Sequence, residues 1–522
     1  MLLGGGTGVA AVVTTRAGRL EGVEERDGLV FRGIPYAAPP RKKLRFRPPE
    51  APLSWPGLRP AVRFGRAAPQ DGPTVLLIRR LIGAAAGSQS QDCLYLNVWT
   101  PAADSRRRPV LVWLHGGAFI MGTGATALYN GEQLSQRGDV VVVTINYRLG
   151  ALGFLNLCEF APGCESVYAN LGLRDQISAL EWVRDNIDSF GGDPDCVTLF
   201  GESAGAMSVG TLLGTPRARG LFHRAILQSG AADNVSSRER ASGTAEHFLE
   251  ELGILDPNPE DLREARVSDI IRAQSVTSAR LGMADGTLPW QPSLDGDLLP
   301  EPPLQTIARG RGPRVPVMLG TNRDEWKLFM LGDRSGRRLD DEGLRRRFER
   351  SLSRLVDAGA PALESAMEVY ARDAVERPCA SPAERWVAFQ SDRLFHHPAR
   401  RLADCHAGRG NPTYRYLFEW SPRSLGKQLG SCHGLEIPFV FGTLNHRRLK
   451  LLVAAAPAAH RLSERMQDAW IAFARTGNPC HDDLPDWPAH RPEKASIMRL
   501  GRTCFPGAEP FQDAMRFWEC LR

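Results

Sequence analysis

The chain has no apolar run that approaches the ~18 residues of a membrane-spanning helix, which excludes a helical span as its organising feature. It carries 10 cysteines but none before Cys93 and no Cys-x-x-Cys pair. The usual ligand spacing of a structural zinc site is therefore missing, and no metal or cofactor is expected. Lysine is scarce, and the net charge of +6 over 522 residues rests on arginine. The densest basic stretch, residues 334–354, is interleaved with Asp340, Asp341, Glu342 and Glu349. That pattern reads as a salt-bridged, solvated helix and not as a nucleic-acid surface. Residues 1–15 lack a charged n-region and a clear cleavage site, so the expectation is a cytoplasmic protein. Cys158 and Cys164 could bridge a short loop, but reduced thiols suit that compartment better.

The chain also lacks internal repeats and long low-complexity linkers. Its 43% hydrophobic and 24% charged residues are those of an ordinary globular protein. Residues 94–99 alternate with period two, and 110–114 and 140–145 are short continuous apolar runs, the form taken by strands buried within a sheet. Residues 197–200, 222–228, 315–320 and 413–420 read as further strands. Residues 170–186 place Leu173, Ile177, Leu180 and Val183 at helical spacing. Helical patterns follow at 240–252, 344–355, 384–403 and 462–475. Strands alternating with helices predict an α/β fold with a large, mostly parallel sheet. No boundary divides the chain, so residues 1–522 are expected to form one domain, with 1–11 as a flexible terminus.

Within that frame, Cys196-Val197-Thr198-Leu199-Phe200 runs into Gly201-Glu202-Ser203-Ala204-Gly205. A strand followed by Gly-x-Ser-x-Gly and a helix is the layout of a nucleophile elbow, in which the serine hydroxyl stands clear of a sharp turn. Chance alone gives on the order of 0.3 such matches in a chain this long, so the motif needs its context. A serine hydroxyl needs a histidine to take its proton and an acid to orient that histidine. In α/β-hydrolases the order is Ser, acid, His. His433, in a Gly-flanked loop after the strand at 413–420, is the base candidate. His115, His223, His396 and His397 compete with it. Glu325, just beyond the strand at 315–320, is the acid candidate, and spacing does not separate it from Asp324. The strand at 110–114 runs straight into His115-Gly116-Gly117-Ala118-Phe119, the form of an oxyanion loop, and the amide of Ala204 would add a donor. Gly122-Thr123-Gly124-Ala125-Thr126-Ala127 has no strand–turn–helix frame and does not read as a nucleotide site.

Together these segments resemble the type-B carboxylesterase and cholinesterase family, most closely its bacterial para-nitrobenzyl-esterase-like members. The resemblance is carried over nearly the whole chain by Phe31-Arg32-Gly33-Ile34-Pro35-Tyr36-Ala37, Gln91-Asp92-Cys93-Leu94-Tyr95-Leu96-Asn97-Val98, Asn146-Tyr147-Arg148-Leu149-Gly150, Asn170 to Gln176, Phe190-Gly191-Gly192-Asp193-Pro194 and Trp487-Pro488. It implies an α/β-hydrolase fold, Ser203 as nucleophile, Glu325 rather than Asp324 as acid, and His433 as base. It further implies oxyanion donors at the amides of Gly117, Ala118 and Ala204, with Ser229 supporting the acid. The choline-stacking Trp of cholinesterases falls at Gly83, so choline specificity is not expected. The disulfide partner usual upstream of Cys93 is also missing.

The expected activity is hydrolysis of small, apolar carboxylic esters through an acyl-enzyme, without a cofactor, by a bacterial monomer or small homo-oligomer. A carbamate, amide or thioester hydrolase with the same triad is the alternative within enzymes, and a non-catalytic binding module the alternative outside them. The apolar residues 75–82 are expected either to line or lid the site entrance, favouring apolar substrates, or to pack in the core.

Overall fold

A computed structural model describes residues 11–25, 28–71, 88–160, 169–254, 259–282, 286–353, 360–372, 377, 380–422, 426–446 and 456–521. The segment 75–82, residue 83, residues 1–10 and Cys164 lie outside the described residues. Ala11 opens the first strand.

Thirteen strands are described: β1 (Ala11–Thr15), β2 (Gly18–Glu25), β3 (Gly28–Pro35), β4 (Leu58–Pro60), β5 (Tyr95–Thr100), β6 (Arg108–Leu114), β7 (Val141–Ile145), β8 (Gly192–Glu202), β9 (Arg224–Gln228), β10 (Val317–Asn322), β11 (Thr413–Phe418), β12 (Ser496–Leu500) and β13 (Cys504–Ala508). They run across the sheet in the order β1-β2-β3-β5-β7-β6-β8-β9-β10-β11-β12-β13, with β4 beside β2. Pairing is parallel from β7 through β12 and antiparallel at both margins, apart from the parallel β2–β4 pair. This is the mostly parallel sheet expected from the alternating pattern.

The continuous apolar runs follow from burial on both faces. In β6, Val110, Val112 and Leu114 pack into one core while Leu111 and Trp113 pack into the other. β10 and β11 divide in the same way, with Leu319 and Leu417 on the first side and Met318, Tyr416 and Phe418 on the second. Helices cover both faces: α1 (Leu171–Asn186), α2 (Ala204–Leu213), α3 (Pro382–Ser391), α4 (His397–Ala407) and α5 (Pro457–Thr476). The helical stripe Leu173, Ile177, Leu180 and Val183 of α1 enters the first core, and Leu462, Met466, Trp470 and Phe473 of α5 enter the second.

The helix expected at 384–403 is not one α-helix. A π-turn, Asp392–His396, separates α3 from α4, and His397 N donates to Asp392 O five residues back. Pro398 explains it, since proline has no amide hydrogen to donate and its ring crowds the preceding turn of a helix. The widened turn absorbs that misfit and carries Phe395 into the interior.

Candidate active site

Parallel strands deliver the site. β8, β10 and β11 point the same way, so the residues that follow them gather at one edge of the sheet, where open α/β sheets bind their ligands. Ser203 follows β8, Glu325 follows β10, and His433 lies in the loop after β11. The register is fixed beside them, with Ser203 N donating to Gln228 O (2.8 Å) and Ser229 N to Gly320 O (2.8 Å).

Ser203 links β8 to α2 with φ 54° and ψ −125°. A non-glycine residue held there costs about 1–3 kcal/mol, and the two elbow glycines make the turn possible. A Cβ on Gly205 would lie 2.0 Å from Leu114 O, and one on Gly201 would lie 2.6 Å from the Gly205 carbonyl carbon. Helix and strand therefore touch backbone to backbone, and the serine is left partly exposed at the tip.

Glu325 Oε2 lies 2.7 Å from His433 Nδ1. Its other oxygen, Oε1, accepts from Ser229 Oγ (2.6 Å) and from Asn322 N (2.7 Å). Asp324 points elsewhere, with Oδ2 accepting from Ser431 N (2.8 Å) and pairing with Arg323 (3.0 Å), while Oδ1 pairs with Lys327 (3.1 Å). The rings of Phe395 and Phe329 stand 4.8 Å and 5.3 Å from the imidazole.

The loop after β6 carries three successive residues in the positive-φ region: Gly117 (117°), Ala118 (52°) and Phe119 (61°). Among the described residues, none accepts a hydrogen bond from the amides of Gly117, Ala118 or Ala204. His115 braces this loop from behind. It is fully buried, stacks on Tyr147 at 4.4 Å, and its Nδ1 is 2.9 Å from Gly116 O. Burial pushes its pKa down to about 4. The other competing histidines are held away by their own contacts: His223 Nδ1 accepts from Val197 N, His396 Nδ1 pairs with Thr321 Oγ1, and His397 stacks near Trp518.

Two buried acids at the site were not singled out by sequence reasoning. Glu202 ends β8, and its Oε1 is 3.1 Å from His433 Nε2. No hydrogen bond joins Ser203 Oγ to His433 among those described. Glu436 accepts from Asn322 Nδ2 (2.6 Å) and Gln228 Nε2 (3.1 Å). Burial pushes Glu202 up to about 8, with Glu436 and Glu325 adding to the rise and His433 opposing it. Burial also raises Glu436, aided by Glu325. For His433 burial works downward, but Glu202 and Glu325 outweigh it and hold the imidazole up to about 9. The signal for Glu202 was available as a carboxylate closing the buried end of β8, after Leu199, Phe200 and Gly201. Glu436 lies three residues beyond His433 in the chain, but nothing in the sequence marks it as buried there or places Phe329 or Phe395 beside the imidazole.

The profile of the carboxylesterase family matches residues 9–518. The chain is 39% identical over 491 residues to a para-nitrobenzyl esterase of Bacillus subtilis, covering 94% of each. It is 35% identical to a phenmedipham hydrolase of Pseudarthrobacter oxydans, covering 97% of each. Among solved structures, a carboxylesterase of Geobacillus stearothermophilus superposes with a TM-score of 0.86 at 37% identity, covering 97% of this chain and 99% of that one. The fold is that of an α/β-hydrolase, and the chain belongs to the carboxylesterase family, as a serine hydrolase acting on carboxylic esters.

Proposed function

We propose that Ser203 is the nucleophile of this esterase, His433 its base and Glu325 the acid that orients the base. The carrying observation is the 2.7 Å contact of Glu325 Oε2 with His433 Nδ1, at the sheet edge where the strained Ser203 turn emerges. Ser203 Oγ attacks the ester carbonyl as its proton passes to His433 Nε2, and Glu325 stabilises the imidazolium through Nδ1. The amides of Gly117, Ala118 and Ala204 hold the oxyanion. His433 then gives its proton to the departing alkoxide, which leaves as the alcohol. Water repeats the sequence on the acyl-enzyme and frees the acid and Ser203. Ser229 acts on Glu325 and not on substrate.

Phe329 and Phe395 beside His433 support an apolar ester as substrate, and the para-nitrobenzyl esterase likeness supports an aromatic alcohol portion. The arginine-, alanine- and glycine-rich composition and the bacterial relatives support a bacterial origin, and the reading includes a cytoplasmic enzyme that is monomeric or a small homo-oligomer. Turnover of para-nitrophenyl acetate, butyrate and octanoate tests the reading, together with mass mapping of a fluorophosphonate adduct. The adduct should fall on Ser203. Turnover with the adduct on another residue would overturn the assignment.

A further inference from the structure

Parallel strands begin together as well as end together. The connections that enter β9, β10, β11 and β12 therefore meet at the edge of the sheet opposite Ser203 and His433. Residues 214–223, before β9, carry Arg217 and Arg219 and no carboxylate. Residues 309–316, before β10, carry Arg309, Arg311 and Arg314, again with no carboxylate. Residues 408–412, before β11, carry Arg409, and residues 490–495, before β12, carry Arg491 and Lys494 beside the acid Glu493. All of these cations are exposed. The four connections touch in series: Arg219 Nη2 donates to Arg311 O, Arg409 Nε donates to Ala308 O (2.6 Å), and His490 N donates to Thr413 O (2.7 Å). They form one continuous basic face.

Few carboxylates balance it. Glu301 lies 2.5 Å from both Arg309 and Arg311 and serves the two together. Arg219 and Arg409 bond backbone carbonyls and keep their full charge. Arg217, Arg314, Arg491 and Lys494 have no ion pair among the described residues. The other arginine-rich surface, helix Asp341–Ser353, is built differently, since Arg345, Arg346 and Arg347 each meet a carboxylate, on Glu364, Glu342 and Asp333. Like charges gathered without partners raise the local potential and draw an external anion.

We propose that this face docks the protein on an anionic lipid surface, with its guanidinium groups on headgroup phosphates. Seven of its eight cations are arginine, whose forked N–H groups match phosphate oxygens in pairs. Four neighbouring strands about 4.8 Å apart spread the charge over a width of roughly 15 Å, broad enough to meet several headgroups at once. Apart from one 3-10 turn at Pro216–Ala218, the connections form no helix or strand, so no element projects to enter a nucleic-acid groove. The exposed large apolar side chains, Leu53 and Phe64 among them, lie outside the four connections. The face thus offers no aromatic ring for base stacking and no apolar anchor for the bilayer interior, and its contact stays at the plane of the phosphates. Ser203 and His433 follow the far ends of these strands, so docking turns the active-site edge away from the lipid and leaves it open to dissolved esters.

The test is co-sedimentation of the full chain with vesicles of phosphatidylglycerol mixed with phosphatidylcholine, and with phosphatidylcholine alone. The wild type should bind the anionic vesicles at low salt, ignore the neutral ones, and come off near ~1 M salt, where charges are screened within ~3 Å. The variant Arg217→Gln/Arg314→Gln/Arg491→Gln/Lys494→Gln removes four cations that hold no ion pair. Each is worth about fivefold in partitioning, so its binding should fall about 10²- to 10³-fold, with kcat/KM for para-nitrophenyl butyrate unchanged. A second variant, Arg266→Gln/Arg345→Gln/Arg346→Gln/Arg372→Gln, takes the same charge from paired arginines elsewhere and should bind as the wild type does. Wild-type protein that ignores the anionic vesicles, or binds both kinds alike, would overturn the proposal without any variant, and so decides even if the variants do not fold. Equal losses in the two variants would assign binding to net charge and overturn the face. Retention on a DNA duplex without binding to vesicles would overturn the lipid in favour of a nucleic acid.

Discussion

Asp324 and Ser431 hold each other through two reciprocal bonds: Asp324 N donates to Ser431 O (2.9 Å), and Ser431 N donates to Asp324 Oδ2 (2.8 Å). The pair ties the loop after β10 to the loop that carries His433. Adjacent carboxylates thus have separate tasks, Asp324 fixing the loop and Glu325 meeting the imidazole. Asp324→Ala is expected to destabilise the fold by about 1.5–3 kcal/mol, the worth of a hydrogen bond to a charged group, read by urea unfolding. Burial raises the Asp324 pKa, but Arg323 and Lys327 outweigh it and hold the group below its ordinary 3.8. A depressed folded-state value stabilises above the unfolded pKa, and this stability is lost as pH falls through the folded one. Asp324→Ala should flatten that acid-side slope. Glu325→Gln, by contrast, should keep stability while kcat falls on the order of 10⁴-fold. Comparable kcat losses in the two variants would contradict the division of labour.

Ser203→Ala should cut kcat on the order of 10⁴-fold or more while thermal unfolding changes little or rises. The strain at φ 54° belongs to the turn and stays with alanine, so a large stability change is not expected. Purified variant enzyme with near-normal turnover would contradict the assignment.

Ser229→Ala removes one of the two groups that hold Glu325 Oε1 and leaves Asn322 N in place. With charged hydrogen bonds worth about 1.5–3 kcal/mol, kcat/KM should fall about tenfold to a hundredfold with KM nearly unchanged. A change confined to KM would place Ser229 in substrate binding instead.

Arg148 and Asp175 form a buried pair through Nη2 to Oδ1 (2.6 Å) and Nε to Oδ2 (2.8 Å), with side-chain exposures of 4% and 0%. Arg148 also donates to Arg47 O (2.7 Å). Arg148→Ala strands the Asp175 carboxylate in the interior, and losses of about 3–5 kcal/mol follow from such broken pairs. Calorimetry should show a lower Tm, and an unchanged Tm would mean that the pair contributes nothing net.

The sheet was legible because its strands are buried on both faces. Continuous apolar runs at β6 and β7 and the 3.6-residue stripe of α1 stand out in the chain for that reason. Boundaries were less legible. The sequence shows a helical pattern across 384–403, but the misfit of Pro398 is taken up by a π-turn that no periodicity announces. Glu202 and Glu436 were missed because their importance lies in what they face, and the chain encodes facing only through the fold.

The sequence by itself determined the elbow motif at Ser203, the order of serine, acidic pair 324–325 and His433 along the chain, and the Gly116-Gly117 loop after β6, because motif and chain order are properties of neighbours. Tertiary structure alone decided that Glu325 and not Asp324 meets His433, and that Glu202 stands at Nε2. Those choices depend on parallel strands far apart in sequence ending at one edge of a sheet, which brings the turn after β10 and the loop after β11 together.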